Sequence, residues 1–304
     1  MLELTLLVAM RKTIFPMSVV TSSVSVGFIG GGQMCEAMLR GLLRAGVTQP
    51  GLVSVSEPLE TRRDYLRQSF DPRLTLVSDN SLVIDKDIVV IAVKPQAISE
   101  ALAPVRARAA QTPSSVSRAL FISIVAGVPL HDLENCLPPG SRVVRSMPNT
   151  PAMISESASA YALGKACTAT DEHLVKRILH CIGPVALSVQ EKLLDGVTGL
   201  SGSGPAFVFV FLEAMADAAV AQGVPRDVAL KLAAQTFVGA GKMVLDAKNH
   251  PAALKDSVCS PAGTTIAGIL AAEEAGLRNA AIKAVSAAAK RSRELAKPNA
   301  PSML

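Results

Sequence analysis

Two stretches of this 304-residue chain combine residue types suited to holding anions. The first is Val26-Gly27-Phe28-Ile29-Gly30-Gly31-Gly32-Gln33-Met34-Cys35, where an apolar run meets three glycines and then a helical pattern. In such a turn Gly30 permits the tight reversal, and Gly32 lets a pyrophosphate approach the backbone at a helix N-terminus. Cys35 stands at the third-glycine position of the pattern, a departure that a small side chain can tolerate. A glycine turn without a ligand is the alternative; the strand before, the helix after and a second strand from Leu52 favour the dinucleotide. The second stretch is Ser257-Val258-Cys259-Ser260-Pro261-Ala262-Gly263-Thr264-Thr265-Ile266, which interrupts helical text. Ser260, Pro261, Gly263 and two threonines opening a helix would aim backbone N–H groups at a carboxylate. An ordinary N-cap with locally satisfied threonines is the bland alternative.

Other candidates are weaker. The second strand ends Ser56-Glu57-Pro58, followed by Arg62 and Arg63. An acidic residue there would bind a ribose 2′-hydroxyl, whereas small polar or basic residues admit a 2′-phosphate. Ser56 and the arginines favour NADPH, Glu57 counts against it, and NADH stays open. Val93-Lys94-Pro95 ends the fourth strand at the edge where ligands lie in doubly wound sheets; Lys94 reads as a turn residue near cofactor and not as the acid. Glu213 and Asp217 lie one helical turn apart in apolar text and read as solvent-facing or paired with a subunit neighbour. The five cysteines and four histidines are dispersed without ligand spacing, which predicts no metal and a reducing compartment.

These residues need elements to hold them. From Val24 to about Val189, apolar runs at Val24–Ile29, Leu52–Val55, Leu74–Val77, Ile88–Val93, Leu120–Val125, Arg142–Arg145 and Val185–Val189 alternate with helical text. The helices are expected at Gln33–Ala45, Thr61–Ser69, Gln96–Arg108 and Asp171–Ile182. Strands apolar at nearly every position, spaced by helices, predict a parallel sheet covered on both faces. After Gln190 the text turns to Ala-rich helices: Gly204–Gln222, Arg226–Ala247, Thr264–Ala272 and Leu277–Ala296. Helices apolar nearly all round are buried on all sides, and a unit of this size cannot bury several alone, so self-association is expected. The fold class is therefore α/β: a Rossmann-like parallel-sheet domain at 24–190 and an all-helical dimerisation domain at 191–304. Residues 1–23 read as a leader, either an upstream start or an organelle-targeting segment.

Composition narrows the function classes. With 49% hydrophobic and 18% charged residues, a disordered chain is excluded. Aromatics at 3% and no Trp argue against stacking platforms for nucleic acid, and the net charge of +5 comes from scattered residues. No apolar stretch approaches the ~18 residues a membrane span needs, so the expected setting is cytoplasmic.

"GFIGGGQM" (Gly27–Met34), "VKP" (Val93–Pro95), "RSMPNTP" (Arg145–Pro151), "LSGSGPAFVF" (Leu200–Phe209) and "SPAGTTIAG" (Ser260–Gly268) occur in one order. That set resembles the Δ1-pyrroline-5-carboxylate reductases, the enzymes of the last step of proline synthesis, over about residues 24–297. The resemblance implies NAD(P)H-dependent reduction of a cyclic imine to proline. It implies cofactor contacts at Gly30, Gly31, Gly32, Gln33, Met34 and Cys35, and at Ser56, Asn80, Ala92, Val93, Lys94, Pro95, Val125, Ala126 and Gly127. It implies substrate contacts at Gly263, Thr264 and Thr265, with Glu191 and Ser257 aligned less securely, and a homodimer that often assembles into rings. Ala262 replaces a usual glycine. An imine nitrogen can arrive already protonated, so no strong acid is demanded. The helical half offers no His near its special loop, which suits an imine better than a carbonyl. Thr265 is then a hydrogen-bond partner of the ring nitrogen, and positioning supplies most of the rate. A β-hydroxy-acid dehydrogenase, another imine reductase, and a non-catalytic NADPH sensor are the competing readings.

Overall fold

Short runs that are apolar along their length build the strands. In the computed structural model, which describes residues 23–111, 118–247 and 249–295, β1 (Val26–Ile29), β2 (Val53–Ser56), β4 (Ile88–Ile91) and β5 (Leu120–Ser123) are buried throughout. With β3 (Thr75–Val77), β6 (Arg142–Met147), β7 (Ala158–Leu163) and β8 (Val185–Ser188) they form one eight-stranded sheet, ordered β3-β2-β1-β4-β5-β6-β7-β8. β1 to β6 pair in parallel, β7 runs antiparallel to β6, and β8 is parallel to β7. The wholly parallel sheet expected from sequence is thus corrected at β7. Ala-Ser-Ala-Tyr-Ala-Leu lacks the β-branched residues that signal a strand, and burial between β6 and β8 supplies what propensity does not. The leader lies outside the described residues.

Side chains alternate across this sheet. Phe28, Val55, Ile122 and Tyr161 face a layer with α1 (Gln33–Arg44) and α5 (Ala169–His180), through Met38, Leu42, Val175 and Leu179. Ile29, Val89, Ile91 and Phe121 face α3 (Ile98–Gln111) and α4 (Leu130–Asn135). α2 (Glu60–Ser69) follows β2 and buries Leu66. α4 has no counterpart among the expected helices; it is barely two turns and too short to show a period.

The helical half comprises α6 (Leu194–Val197), a π-helical turn (Thr198–Gly202), α7 (Gly204–Ala221), α8 (Arg226–Asp246), α9 (Pro251–Ser257), α10 (Thr264–Glu274) and α11 (Leu277–Leu295). The four long helices fall where expected. α9 was hidden because Pro251 reads only as a boundary, and Ser257 is its last residue instead of a loop residue.

Two sequence motifs turn out to be the joint between the halves. At Gly199 a Cβ would lie 2.6 Å from the Val285 carbonyl oxygen of α11, so only glycine allows this approach. Asn149 donates from Nδ2 to the Ser201 carbonyl at 3.0 Å and accepts from the Ala158 N–H at 3.1 Å. Arg145 is buried between Glu191 (3.4 Å) and Asp195 (3.2 Å), and Ser292 of α11 donates to the same Asp195 oxygen at 2.7 Å.

Beyond this joint the helices are under-covered. Phe209, Leu232 and Leu245 are 63%, 60% and 69% exposed, and Ala216 is the buried residue of α7. Within one chain, then, the apolar helices are not buried all round. The runs Glu191–Ala221 and Arg226–Asp246 also meet the length and composition of a membrane span. That corrects the expectation that no apolar stretch approaches the length of a span: abundant Ala and Gly dilute the visual signal without adding charge. Asp217 pairs with Arg226 across the α7–α8 turn and Glu213 is exposed, so the two do not form a catalytic carboxylate pair.

Candidate active site

β1 and β4 leave the sheet in opposite directions along its order, and the turns after β1, β2, β4 and β5 share its carboxyl edge. Ligands of open α/β sheets lie in the crevice at such a switch point. Gly30 adopts φ +99°, donates its N–H to the Ser56 carbonyl at 2.8 Å, and would carry a Cβ only 2.7 Å from the Ala92 carbonyl oxygen. It is a glycine because the chain itself demands one. Gly32 is different: it has an ordinary φ of −70°, and nothing lies within 4 Å of where its Cβ would be. As the N-cap of α1, it offers no side-chain cap to the first-turn N–H groups. Open space beside unpaired amides at a helix N-terminus fits a pyrophosphate.

Gln33, Met34 and Cys35 open α1, and Cys35 is fully buried. Burial pushes its thiol well above the usual range, so it packs instead of reacting. Ser56 is buried too, and its Oγ has no partner in the chain. Ala92 and Val93 back onto Gly30, Lys94 is exposed at the start of the turn Pro95–Ala97, and the Val125-Ala126-Gly127 turn follows β5. Gly127, at φ +74°, sits against Leu295 and Ser292 of α11. The structure thus gathers these positions at one edge. Asn80 begins the turn after β3, and its amide is committed to the Ala101 carbonyl at 2.9 Å.

Sequence reading missed how β2 and α2 grip the glycine turn. Glu57 accepts the Gly31 N–H at 2.9 Å and the Leu59 N–H at 3.0 Å. Arg62 donates from Nε to the Gly31 carbonyl at 2.6 Å and to Glu36 at 2.8 Å. Burial opposes ionisation of Glu36, but hydrogen bonds from Arg40, Arg62 and Tyr65 outweigh it and hold its pKa below the usual glutamate value. Arg63 donates to the carbonyls of Glu57 (2.6 Å) and Pro58 (2.8 Å). The arginines were visible in sequence, but the partner at Glu36 comes from a different helix and leaves no spacing signal.

The second stretch forms a turn between α9 and α10. Ser260 accepts the Gly263 N–H at 3.0 Å, and a Cβ on Gly263 would lie 2.2 Å from Ser260 Oγ. Ala262 is left-handed at φ +56°, which explains why a glycine is usual there. Gly263 is the N-cap of α10 and supplies no side-chain cap, and Thr264 and Thr265 are exposed. The first-turn N–H groups are therefore free to meet an anion. Ser257 is turned back, its Oγ donating to the Leu254 carbonyl at 2.7 Å. Glu191 belongs to the joint, accepting the Leu130 N–H at 2.5 Å beside Arg145. Among the described residues, no hydrogen bond links the Ser260–Thr265 loop to the sheet of its own chain.

Comparison with known proteins finds two family models along the chain. Residues 191–295 match the family model for pyrroline-5-carboxylate reductase dimerisation, and residues 25–127 match one described as NADP oxidoreductase, coenzyme F420-dependent. The chain is 46% identical to a pyrroline-5-carboxylate reductase of Methanosarcina acetivorans over 273 residues, which covers 90% of this chain and 98% of that one. It is 41% identical to the Glycine max enzyme, covering 93% of this chain and 99% of that one. Among solved structures, the NADP-bound pyrroline carboxylate reductase of Plasmodium falciparum superposes with a TM-score of 0.79 at 29% identity, covering 90% of this chain and 98% of that one. The chain belongs to the pyrroline-5-carboxylate reductase family.

Proposed function

We propose that this chain is a pyrroline-5-carboxylate reductase that reduces the cyclic imine of L-1-pyrroline-5-carboxylate to L-proline with NADPH. One observation carries the reading. A glycine turn with ligand-sized space at Gly32 and an uncapped helix N-terminus at Gly263 occur in one chain whose similarity to named reductases runs nearly end to end. NADPH, when bound, supplies the hydride for the imine carbon. Gly30 to Cys35 hold its pyrophosphate at the start of α1, with Ser56, Asn80, Ala92 to Pro95 and Val125 to Gly127 around it. NADH is the weaker partner at the same edge.

The substrate carboxylate lies on the N–H groups at Gly263, Thr264 and Thr265, where the helix dipole contributes about 0.3–1 kcal/mol. Thr265 holds the ring nitrogen through its hydroxyl. The nitrogen arrives protonated, so Thr265 orients and does not need to donate a proton. Glu191 and Ser257 are the less secure substrate contacts: Glu191 accepts the Leu130 N–H at the joint, and Ser257 donates to the Leu254 carbonyl.

Among the described residues no hydrogen bond ties the loop to the sheet of its own chain, and the neighbouring helices carry large exposed apolar side chains. Both are accounted for by a homodimer in which the Ser260–Thr265 loop of one chain completes the cofactor edge of its partner. Rings of such dimers are an extension of the same contact. We read α7 and α8 as subunit interface in preference to membrane span, with no nucleic-acid role. The five unpaired cysteines suit a reducing compartment, and we place the enzyme in the cytoplasm.

The test is steady-state reduction of pyrroline-5-carboxylate with NADPH and NADH in parallel, on wild type and Thr265→Ala. Loss of one hydrogen bond to a charged group predicts a fall in kcat/KM of about 10- to 100-fold. Tight NADPH binding without turnover in the wild type would overturn the reductase reading in favour of a sensor.

A further inference from the structure

Gly31 has one N–H and one carbonyl, and a charged side chain holds each of them. Glu57 Oε2 accepts the N–H at 2.9 Å, and Arg62 Nε donates to the carbonyl at 2.6 Å. Glu57 comes from the segment that follows β2, and Arg62 from the first turn of α2. Arg62 is in turn anchored by Glu36 of α1 at 2.8 Å, and the Tyr65 ring lies against its guanidinium, 4.6 Å from centroid to Cζ. Glu36 also accepts from Arg40 at 2.8 Å, so one buried carboxylate gathers two arginines. Glu57 packs closely as well, since a Cβ on Gly31 would meet the Glu57 Cβ at 3.0 Å.

By residue type, an acid and an arginine after β2 read as opposing votes on the ribose 2′ group. Their geometry gives them a different task. Building on the cofactor site proposed above, we propose that Glu57 and Arg62 are positioning residues: they clamp the two polar groups of Gly31 from one side, fix the glycine turn before cofactor arrives, and are not the ligands that distinguish NADPH from NADH. Three consecutive glycines have wide backbone freedom that binding would otherwise have to remove. A turn already held at Gly31 presents the Gly32 opening and the first-turn N–H groups of α1 in place. Because this acts on the pyrophosphate region common to both dinucleotides, its loss weakens both equally. An arginine that bound the 2′-phosphate would, in contrast, matter for NADPH alone.

The experiment uses the full-length protein and the variants Arg62→Gln, Arg62→Lys and Glu57→Gln. Dissociation constants for NADPH and NADH are measured from reduced-nicotinamide fluorescence, alongside kcat and the KM of each cofactor. Arg62→Gln is expected to raise both dissociation constants by the same factor, about 10-fold, with kcat at saturating cofactor close to wild type. Arg62→Lys, which keeps the charge on a single donor atom, recovers part of that loss for both cofactors. Glu57→Gln keeps one acceptor and gives a smaller, equally shared loss of about 3-fold. An Arg62→Gln protein that weakens for NADPH alone, or for neither cofactor, overturns the clamp. If that variant fails to fold, Glu57→Gln decides: a changed NADPH-to-NADH ratio overturns the proposal, and an unchanged ratio with both constants raised supports it. A wild type that binds neither cofactor overturns the reductase reading itself, a result distinguishable from failure of the clamp.

Discussion

The two turns proposed to hold anions differ in what surrounds them. The glycine turn after β1 is finished by its own chain: Gly30 locks against Ala92, Glu57 and Arg62 hold Gly31, and open space remains at Gly32. The Ser260–Thr265 turn shares the chemistry of an uncapped helix N-terminus but stands exposed on helices whose apolar faces are also exposed. The lesson is that a parallel sheet with helices on both faces can bury and set its own site. A bundle of a few apolar helices cannot, and its site waits for the surface that covers them.

The largest effect expected from breaking this contrast is at Gly32. Its Cβ position is empty and its backbone is ordinary, so Gly32→Val should fold with unchanged Tm and lose dinucleotide binding by more than about 100-fold in calorimetric titration. Next comes the joint that ties the two regions. Arg145→Ala removes the buried cation between the partly buried Asp195 and the more exposed Glu191, and should cost about 1–3 kcal/mol in chemical denaturation. The smallest effect is at Ala262. Glycine there relieves a left-handed alanine, so Ala262→Gly should stabilise by about 1 kcal/mol at most and leave the fold unchanged. A destabilised Ala262→Gly would show that the loop shape is imposed from elsewhere.

Legibility in the sequence followed the same contrast. The β1 turn and its flanking strand and helix were readable because each element is local and strongly patterned. So were the four long helices after Gln190. β7 was not readable, because a run of Ala and Ser becomes a strand only through its neighbours. Ser257 reads as a loop residue in sequence because α9 is two turns long and begins at a proline. The Glu57–Gly31–Arg62 arrangement depends on Glu36 from a third element, and the Arg145–Asp195–Ser292 contact spans about half the chain. Residue types are visible at such places, but partners far apart in sequence have no spacing to reveal them. The family motifs pointed to the correct reductase family, yet two of them, around Asn149 and Gly199, serve the joint between the halves.

The central claim is that the substrate loop of one chain completes the cofactor edge of its partner. The direct measurement is the NADPH-dependent reduction of pyrroline-5-carboxylate by a purified heterodimer of one Gly32→Val chain and one Thr265→Ala chain, each with a different affinity tag. Each homodimer is defective at both of its sites. If the loop serves the partner, one site of the heterodimer unites an intact Gly32 with an intact Thr265, and turnover returns to about half of wild type per dimer. If turnover stays at the level of the separate variants, the loop serves its own chain and the account is contradicted.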